Sequence, residues 1–174
     1  MCSNSSGTAI PCAGTGQDGE LQAGAPLSYT DNGDGTITDK NTGLMWEKLS
    51  DDGTIHDKDN GYTWNDAFAV HVAGLNAGGG FAGHTDWRLP NFKELVSILD
   101  LATYNPPVHP VFNVFCAPGC TVLTCSCTAS NYYWSSSSYP FSPSNASCLY
   151  FVDGTAITAG KSLFVSVRAV RGGV

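Results

Sequence analysis

Apolar and polar positions alternate along this chain in two distinct rhythms, and each rhythm predicts its own kind of element. Leu27-Ser28-Tyr29-Thr30 and Thr36-Ile37-Thr38 flank Asp31-Asn32-Gly33-Asp34-Gly35, whose Asn-Gly and Asp-Gly steps supply the positive φ of a tight turn, so a β-hairpin is expected. Leu44-Met45-Trp46 continues as a strand, and an acidic loop runs from Asp51 to Gly61. The rhythm then changes. Trp64, Phe68, Val72 and Leu75 make a stripe at helical spacing, Thr63 and Asp66 give it a capping-box-like start, and Gly78-Gly79-Gly80 ends it. A second helix opens at Pro90-Asn91, with Asn91 as cap, Glu94 at the third position, and Leu95, Ile98 and Leu99 inward. It stops before Asn105-Pro106-Pro107. From there to the end only loops and strands are expected, the last strand alternating Leu163, Val165, Val167 and Ala169 with Phe164, Ser166 and Arg168.

Hairpin, helix, helix, then strands is the order of an α+β fold: two helices packed on antiparallel sheets, with long loops. Residues 1–26 are aperiodic and rich in Gly, Ala, Ser and Thr, and read as an irregular lead to a domain over 27–174. At 174 residues and 42% apolar content, the chain suffices for one full core and is short for two.

Eight basic residues against fifteen acidic ones leave a net charge of -7, with no basic cluster, which argues against nucleic acid as a partner. No apolar run approaches the ~20 residues needed to span a bilayer, so direct membrane insertion is not expected. The start, Met1-Cys2-Ser3-Asn4, carries no signal-peptide pattern, as expected of a chain that begins after a removed leader.

Seven cysteines is high usage, and Cys116, Cys120, Cys125 and Cys127 crowd together. In a cytosolic protein that spacing suits a four-thiolate zinc site, and in an exported one it suits disulfides. Sparse Lys, abundant Gly, Ser, Thr and Asn, and a second pair at Cys2 and Cys12 favour the oxidising compartment, hence export to a cell surface or the extracellular space. An odd count leaves one thiol over, and Cys148 stands apart from both clusters.

The stretch from Tyr133 to Gly160 carries one charge, Asp153, among six aromatic rings and many serines. Tyr and Trp give rigid contact area and Ser and Asn give adaptable hydrogen bonds, the composition of a binding surface. Uncharged sheet core with serine on its wet face is the competing reading.

Several motifs occur in order: Asp31-Asn32-Gly33-Asp34-Gly35-Thr36-Ile37-Thr38-Asp39, Asn41-Thr42-Gly43-Leu44-Met45-Trp46, Thr63-Trp64, Asp86-Trp87-Arg88-Leu89-Pro90-Asn91, Lys93-Glu94-Leu95, Tyr133-Trp134-Ser135-Ser136 and Val167-Arg168-Ala169-Val170-Arg171-Gly172-Gly173. Together they resemble the Lcl C-terminal domain family over about residues 27–173. The resemblance implies a C-type-lectin-like fold of the variety shared with formylglycine-generating-enzyme-like domains. It also implies a surface adhesin, or a variable protein of a diversity-generating retroelement, in which a reverse transcriptase rewrites adenines late in the gene. The rewritten segment would cover about 133–166. Within it this chain departs from the family at Cys148, Tyr150 and Val152, and at Leu163, Phe164 and Val165, where the family favours Asn and aromatic residues. Cys, Val and Leu at outward positions fit programmed variation.

Alternation puts Leu149 and Phe151 inward and Cys148, Tyr150 and Val152 outward. The expected ligand-binding residues are therefore Tyr132, Tyr139, Phe141, Ser144, Ser147, Cys148, Tyr150, Val152, Asp153, Thr155, Thr158, Leu163 and Phe164, with Trp134 in the core. The partner is a protein or a glycan on another surface. A protein or neutral ligand ranks above a sulfated glycan, because only Lys161 and Arg168 supply nearby positive charge. No catalytic residue is assigned. The four histidines lack ligand spacing, the serine run lacks a nucleophile elbow, and Asp86, Arg88 and Arg171 read as structural ion-pair formers. No cofactor is expected, calcium at the Asp31 to Asp39 loop being the one candidate ion. Trp64-Asn65-Asp66 matches a sugar-binding calcium tripeptide but sits at a helix start, where Asn and Asp cap. The alternatives are a cysteine-oxidising enzyme of the formylglycine-generating type, with copper on the clustered cysteines, and a structural domain that trimerises an adhesin.

Overall fold

The computed structural model describes residues 1–21 and 23–173; Gln22, in the expected lead, and Val174, the last residue of the expected domain, lie outside the described residues. The Asn-Gly and Asp-Gly steps do turn the chain. Strand β3 (Tyr29–Asp31) pairs antiparallel with β4 (Thr36–Asp39), Asp31 opposite Ile37, and Gly33 and Gly35 take φ of 78° and 94° in between. Asp39 caps the next turn, accepting from Asn41 N at 2.8 Å and Thr42 Oγ1 at 2.7 Å. The turn delivers β5 (Leu44–Glu47), and β9 (Val170–Gly172) closes a four-stranded sheet in the order β3-β4-β5-β9.

The lead is more ordered than its composition predicts. It holds a two-stranded hairpin, β1 (Cys2–Ser3) with β2 (Ala9–Ile10), and one turn of helix, α1 (Asp18–Leu21). The Cys2–Cys12 disulfide closes the hairpin, and Asn4 Oδ1 gathers the turn by accepting from the backbone of Ser6 and Thr8. Local side-chain bonds and a cross-link replace the apolar periodicity that a sequence reading looks for.

Thr63 caps the first long helix, accepting from Asp66 N. Helix α2 (Trp64–Asp66) runs through a π-helical stretch, Ala67–Val72, into α3 (Ala73–Asn76). Helix α4 (Phe92–Ser97) starts with a full capping box between Asn91 and Glu94. It is shorter than expected, because Leu99 already bridges to Val108. The following stretch, expected to hold only loops and strands, contains a 3-10 turn at Pro110–Phe112, capped by His109.

A second sheet, β6 (Tyr132–Ser138), β7 (Asn145–Tyr150) and β8 (Thr155–Gly160), is a meander in the order β6-β7-β8. Register pairs Tyr133 with Leu149, Trp134 with Cys148, and Cys148 with Ile157. Both faces of this sheet are covered. On one, Tyr133, Leu149 and Phe151 pack with Leu95, Ile98, Trp46 and Phe112. On the other, Trp134, Ala146 and Cys148 pack with Ala67, Leu89, Val165 and Val167, against Trp64, Phe68 and Val72 of the first helix. Two apolar layers around one sheet bury far more surface than one face would, at about 25 cal/mol per Å² of apolar area.

The expected last strand is split. Val165 exchanges hydrogen bonds of 3.0 Å with Tyr62, while Ser166 bonds in parallel to Trp134 N and Tyr132 O, and a named strand begins only at Val170. Val165, Val167 and Ala169 are buried as predicted, but Ser166 and Arg168 are buried too, and Leu163 is exposed. From Val165 to Ala169 this segment joins the two sheets, so neither of its sides faces water there. Arg168 is consequently not a surface cation. Its guanidinium donates to Glu47 O at 2.9 Å, Cys127 O at 2.6 Å and Thr128 Oγ1 at 2.8 Å, pinning three segments. All six clustered cysteines are paired, as Cys2–Cys12, Cys116–Cys127 and Cys120–Cys125, leaving Cys148 free.

Candidate functional site

The hairpin between β6 and β7 carries the richest exposed chemistry. Tyr139 N donates to Asn145 O at 2.9 Å, so the loop is tight, and Pro140 and Pro143 stiffen it. Phe141 stands 88% exposed at its tip, its ring 5.6 Å from that of Tyr139. Ser142 Oγ and Ser144 Oγ lie 3.2 Å apart, and Ser144 O accepts from Lys161 N at 2.9 Å. The Lys161 ammonium sits 3.8 Å over the Trp64 ring and donates to Ser138 Oγ at 2.7 Å. Trp64 is fixed in turn by Nε1 donating to Ser135 O at 2.9 Å. One end of the sheet thus presents aromatic rings, hydroxyls and a single ammonium on a braced frame.

The opposite end of the same ladder holds a second group. Tyr132, Tyr150 and Thr155 are adjacent in register, and the Tyr132 and Tyr150 rings stack at 4.3 Å with 21° between planes. Val152 is half-buried, and Asp153 is exposed, its carboxyl held below the usual carboxylate range by Thr155, whose backbone N–H donates at 2.9 Å. Phe164 and Leu163, 75% and 55% exposed, lie on the crossing segment that follows β8.

The structure therefore distributes the predicted site residues rather than gathering them. Tyr139, Phe141 and Ser144 belong to the hairpin end, and Tyr132, Tyr150, Val152, Asp153 and Thr155 to the other. Ser147 and Thr158 are paired with each other, on the face opposite Tyr150 and Thr155. Cys148 is a correction. The alternation that turned it away from Leu149 is right in phase, but the first helix lies on that side, and Cys148 is 0% exposed. Burial pushes its thiol up to about 12, so it is neither a contact residue nor a reactive one.

A buried cluster escaped the sequence reading. Glu47, fully inside, accepts from His56 Nδ1 at 2.7 Å through Oε1, and from His71 Nε2 and Ala169 N, both at 2.9 Å, through Oε2. Burial pushes this carboxyl up, but His71 and His56 outweigh it and hold it down at about 2. Nine and twenty-four positions separate these histidines from the acid, so no local motif marks the cluster. It ties β5, the acidic loop, the first helix and the C-terminal segment together.

In the candidate calcium loop the acids are otherwise engaged: Asp31 accepts from Lys48 Nζ at 2.8 Å and Gly33 N, and Asp34 accepts from Thr36. Asp86 and Arg171 form a two-point ion pair, as do Arg88 and Glu94. One concavity, about 320 Å³, lies between the start of β5 and α4, lined by Leu44, Asn91 and Glu94 and by none of the exposed aromatic residues. Among the described residues no helix is long and apolar enough to cross a membrane.

These features define an α+β domain of small antiparallel sheets with few helices, cross-linked by disulfides and holding aromatic side chains out from one sheet. Residues 35–171 match the family model of the Lcl C-terminal domain, and the chain belongs to that family. No curated protein matches it.

Proposed function

We propose that this chain is a non-catalytic ligand-binding module of the adhesin or receptor kind, a C-type-lectin-like scaffold that binds a protein or a glycan on another surface. The observation that carries this reading is the exposure of Phe141 and Phe164, 88% and 75%, at the β6–β7 hairpin tip and on the segment after β8, beside a sheet whose central strand is packed on both faces. Large rings held rigidly in water cost solubility and supply the anchors of interfaces. With Arg168 buried, Lys161 is the cation that a hydrogen bond ties to the hairpin end, and so small a supply of positive charge favours a protein or neutral glycan over a sulfated one. Three disulfides support an exported, surface-exposed protein.

Of the positions where this chain departs from the family, Leu163 and Phe164 are exposed and Tyr150 and Val152 half-buried, which supports the further reading as a variable protein of a diversity-generating retroelement, whereas Cys148 and Val165 are buried and lend it nothing. A reverse transcriptase gene and a near-copy of the codons for 133–173 in the flanking DNA are the expected finding, and absence of both sinks that part. Binding itself is tested on arrays of glycans and surface proteins, comparing the chain with Phe141→Ala and Phe164→Ala. Loss of signal with an unchanged circular dichroism spectrum is expected; equal signal from both variants refutes the site. The rival enzyme needs reduced thiols to hold copper, whereas the clustered cysteines are paired here. Titrating the denatured, unreduced chain with a thiol reagent is expected to count one thiol, and three or more favour the enzyme.

A further inference from the structure

The two disulfides of the 116–127 loop are not separate staples; their sulfurs form one nest. Cys120 Sγ lies 3.7 Å from Cys127 Sγ, and Cys125 Sγ lies 3.8 Å from the same atom, although neither is bonded to it. The sulfurs of Cys116, Cys120 and Cys127 all fall within 4.8 Å of one another. In a tetrathiolate zinc site with Zn–S bonds of about 2.3 Å, the sulfurs stand about 3.8 Å apart. The two contacts that Cys127 Sγ makes with the other disulfide already have about the edge length of that tetrahedron.

Backbone hydrogen bonds frame the nest besides the disulfides. Val114 and Ser126 exchange two backbone hydrogen bonds of 2.8 and 3.0 Å, Cys127 N donates to Leu49 O at 2.8 Å, and Asp51 N donates to Cys120 O at 3.0 Å. Charge fits as well. The buried Arg168 guanidinium donates to the backbone carbonyl of Cys127 at 2.6 Å, so a fixed positive charge sits on the backbone of a residue whose sulfur becomes anionic on binding metal. Cys116 is exposed and opens the nest to solvent, while Cys125 and Cys127 form its buried floor.

We propose that the reduced loop is a tetrathiolate site for zinc or a comparably thiophilic divalent ion, formed by Cys116, Cys120, Cys125 and Cys127, which the disulfides and the metal occupy alternately. A dithiol reductant delivers two electrons and two protons to each disulfide and closes to its own cyclic disulfide, leaving four thiols. The divalent ion then displaces the four thiol protons and forms four metal–sulfur bonds. A small-molecule disulfide reverses the sequence: it accepts two electrons from each pair of thiolates and, with two protons per pair, becomes thiol, while the two protein disulfides re-form and the ion is released.

The test uses the full chain carrying Cys2→Ser and Cys12→Ser, so that the nest holds all the reducible pairs. The protein is reduced with a dithiol, desalted without oxygen and titrated with cobalt. Expected are thiolate-to-cobalt charge-transfer absorption and the intense visible bands of tetrahedral cobalt, saturating at one ion per chain. Zinc is expected to bleach these bands and to raise the reduced protein's Tm by about 5 °C or more. Adding Cys116→Ser and Cys127→Ser is expected to abolish both effects. If the reduced chain unfolds, zinc is expected to restore its circular dichroism. The proposal is overturned by an absent charge-transfer band, by a band undiminished in the variant lacking Cys116 and Cys127, or by metal binding with neither a gain in Tm nor recovery of fold.

Discussion

His71 Nε2 lies 2.9 Å from Glu47 Oε2, and neither side chain reaches solvent. The pair fastens the first helix to β5, and His56 adds the acidic loop to the same carboxylate. Its folded-state pKa is depressed from 4.5 to about 2, so the stability it contributes is present in full above pH ~4.5 and is lost as pH falls through about 2. Denaturant midpoints measured from pH 5 down to pH 2 are expected to fall through that window. Glu47→Gln is expected to flatten the profile and to cost about 3 kcal/mol at neutral pH, as breaking a buried pair does.

Arg168 makes a comparable prediction from a different geometry. Its fork reaches two carbonyls and a hydroxyl on two other segments, β5 and the Cys127-Thr128 stretch, which an ammonium cannot span. Arg168→Lys is expected to lower stability by about 2 kcal/mol or more in equilibrium unfolding. Charge-reversal sensitivity of ligand binding is not expected there, because the group faces no ligand.

Cys148 separates packing from display. In the folded protein it is expected to resist thiol reagents, and denaturation is expected to expose it. Cys148→Asn places an amide among Trp134, Ala146 and Val165 without an evident partner, at an expected cost of about 3 kcal/mol. Phe141→Ser, by contrast, is expected to change stability by no more than about 0.5 kcal/mol, since its ring is already in water. Thermal unfolding of the two variants side by side checks both.

Gly80 is a backbone requirement. It holds φ of 74°, and a Cβ there would run into the carbonyl of His84. Gly80→Ala is expected to cost about 2 kcal/mol, read as a lowered Tm, whereas Gly79→Ala, in open space, is expected to be nearly neutral.

Much of the local structure was legible because its causes are local. The Asn91/Glu94 capping box, the Thr63 cap and the Asn-Gly turn each depend on residues within four positions. The odd cysteine was legible by counting. The lead was not, since its hairpin is made by a cross-link and by Asn4 rather than by apolar alternation. Nor was the fate of Arg168, whose partners lie 121, 41 and 40 positions away.

Taken alone, the amino-acid sequence determined the first hairpin turn, the caps that open the first helix and α4, the phase of side chains along β7, the family and the small supply of positive charge, because these rest on neighbours and composition. Tertiary structure alone decided which face of that strand meets water. Phase says only that Cys148 and Leu149 point opposite ways; whether a helix covers the second face depends on contacts such as Trp64 Nε1 to Ser135 O and Trp134 Nε1 to Tyr62 O, across 71 and 72 positions. With that face filled, display was left to the hairpin tip, the strand end and the crossing segment.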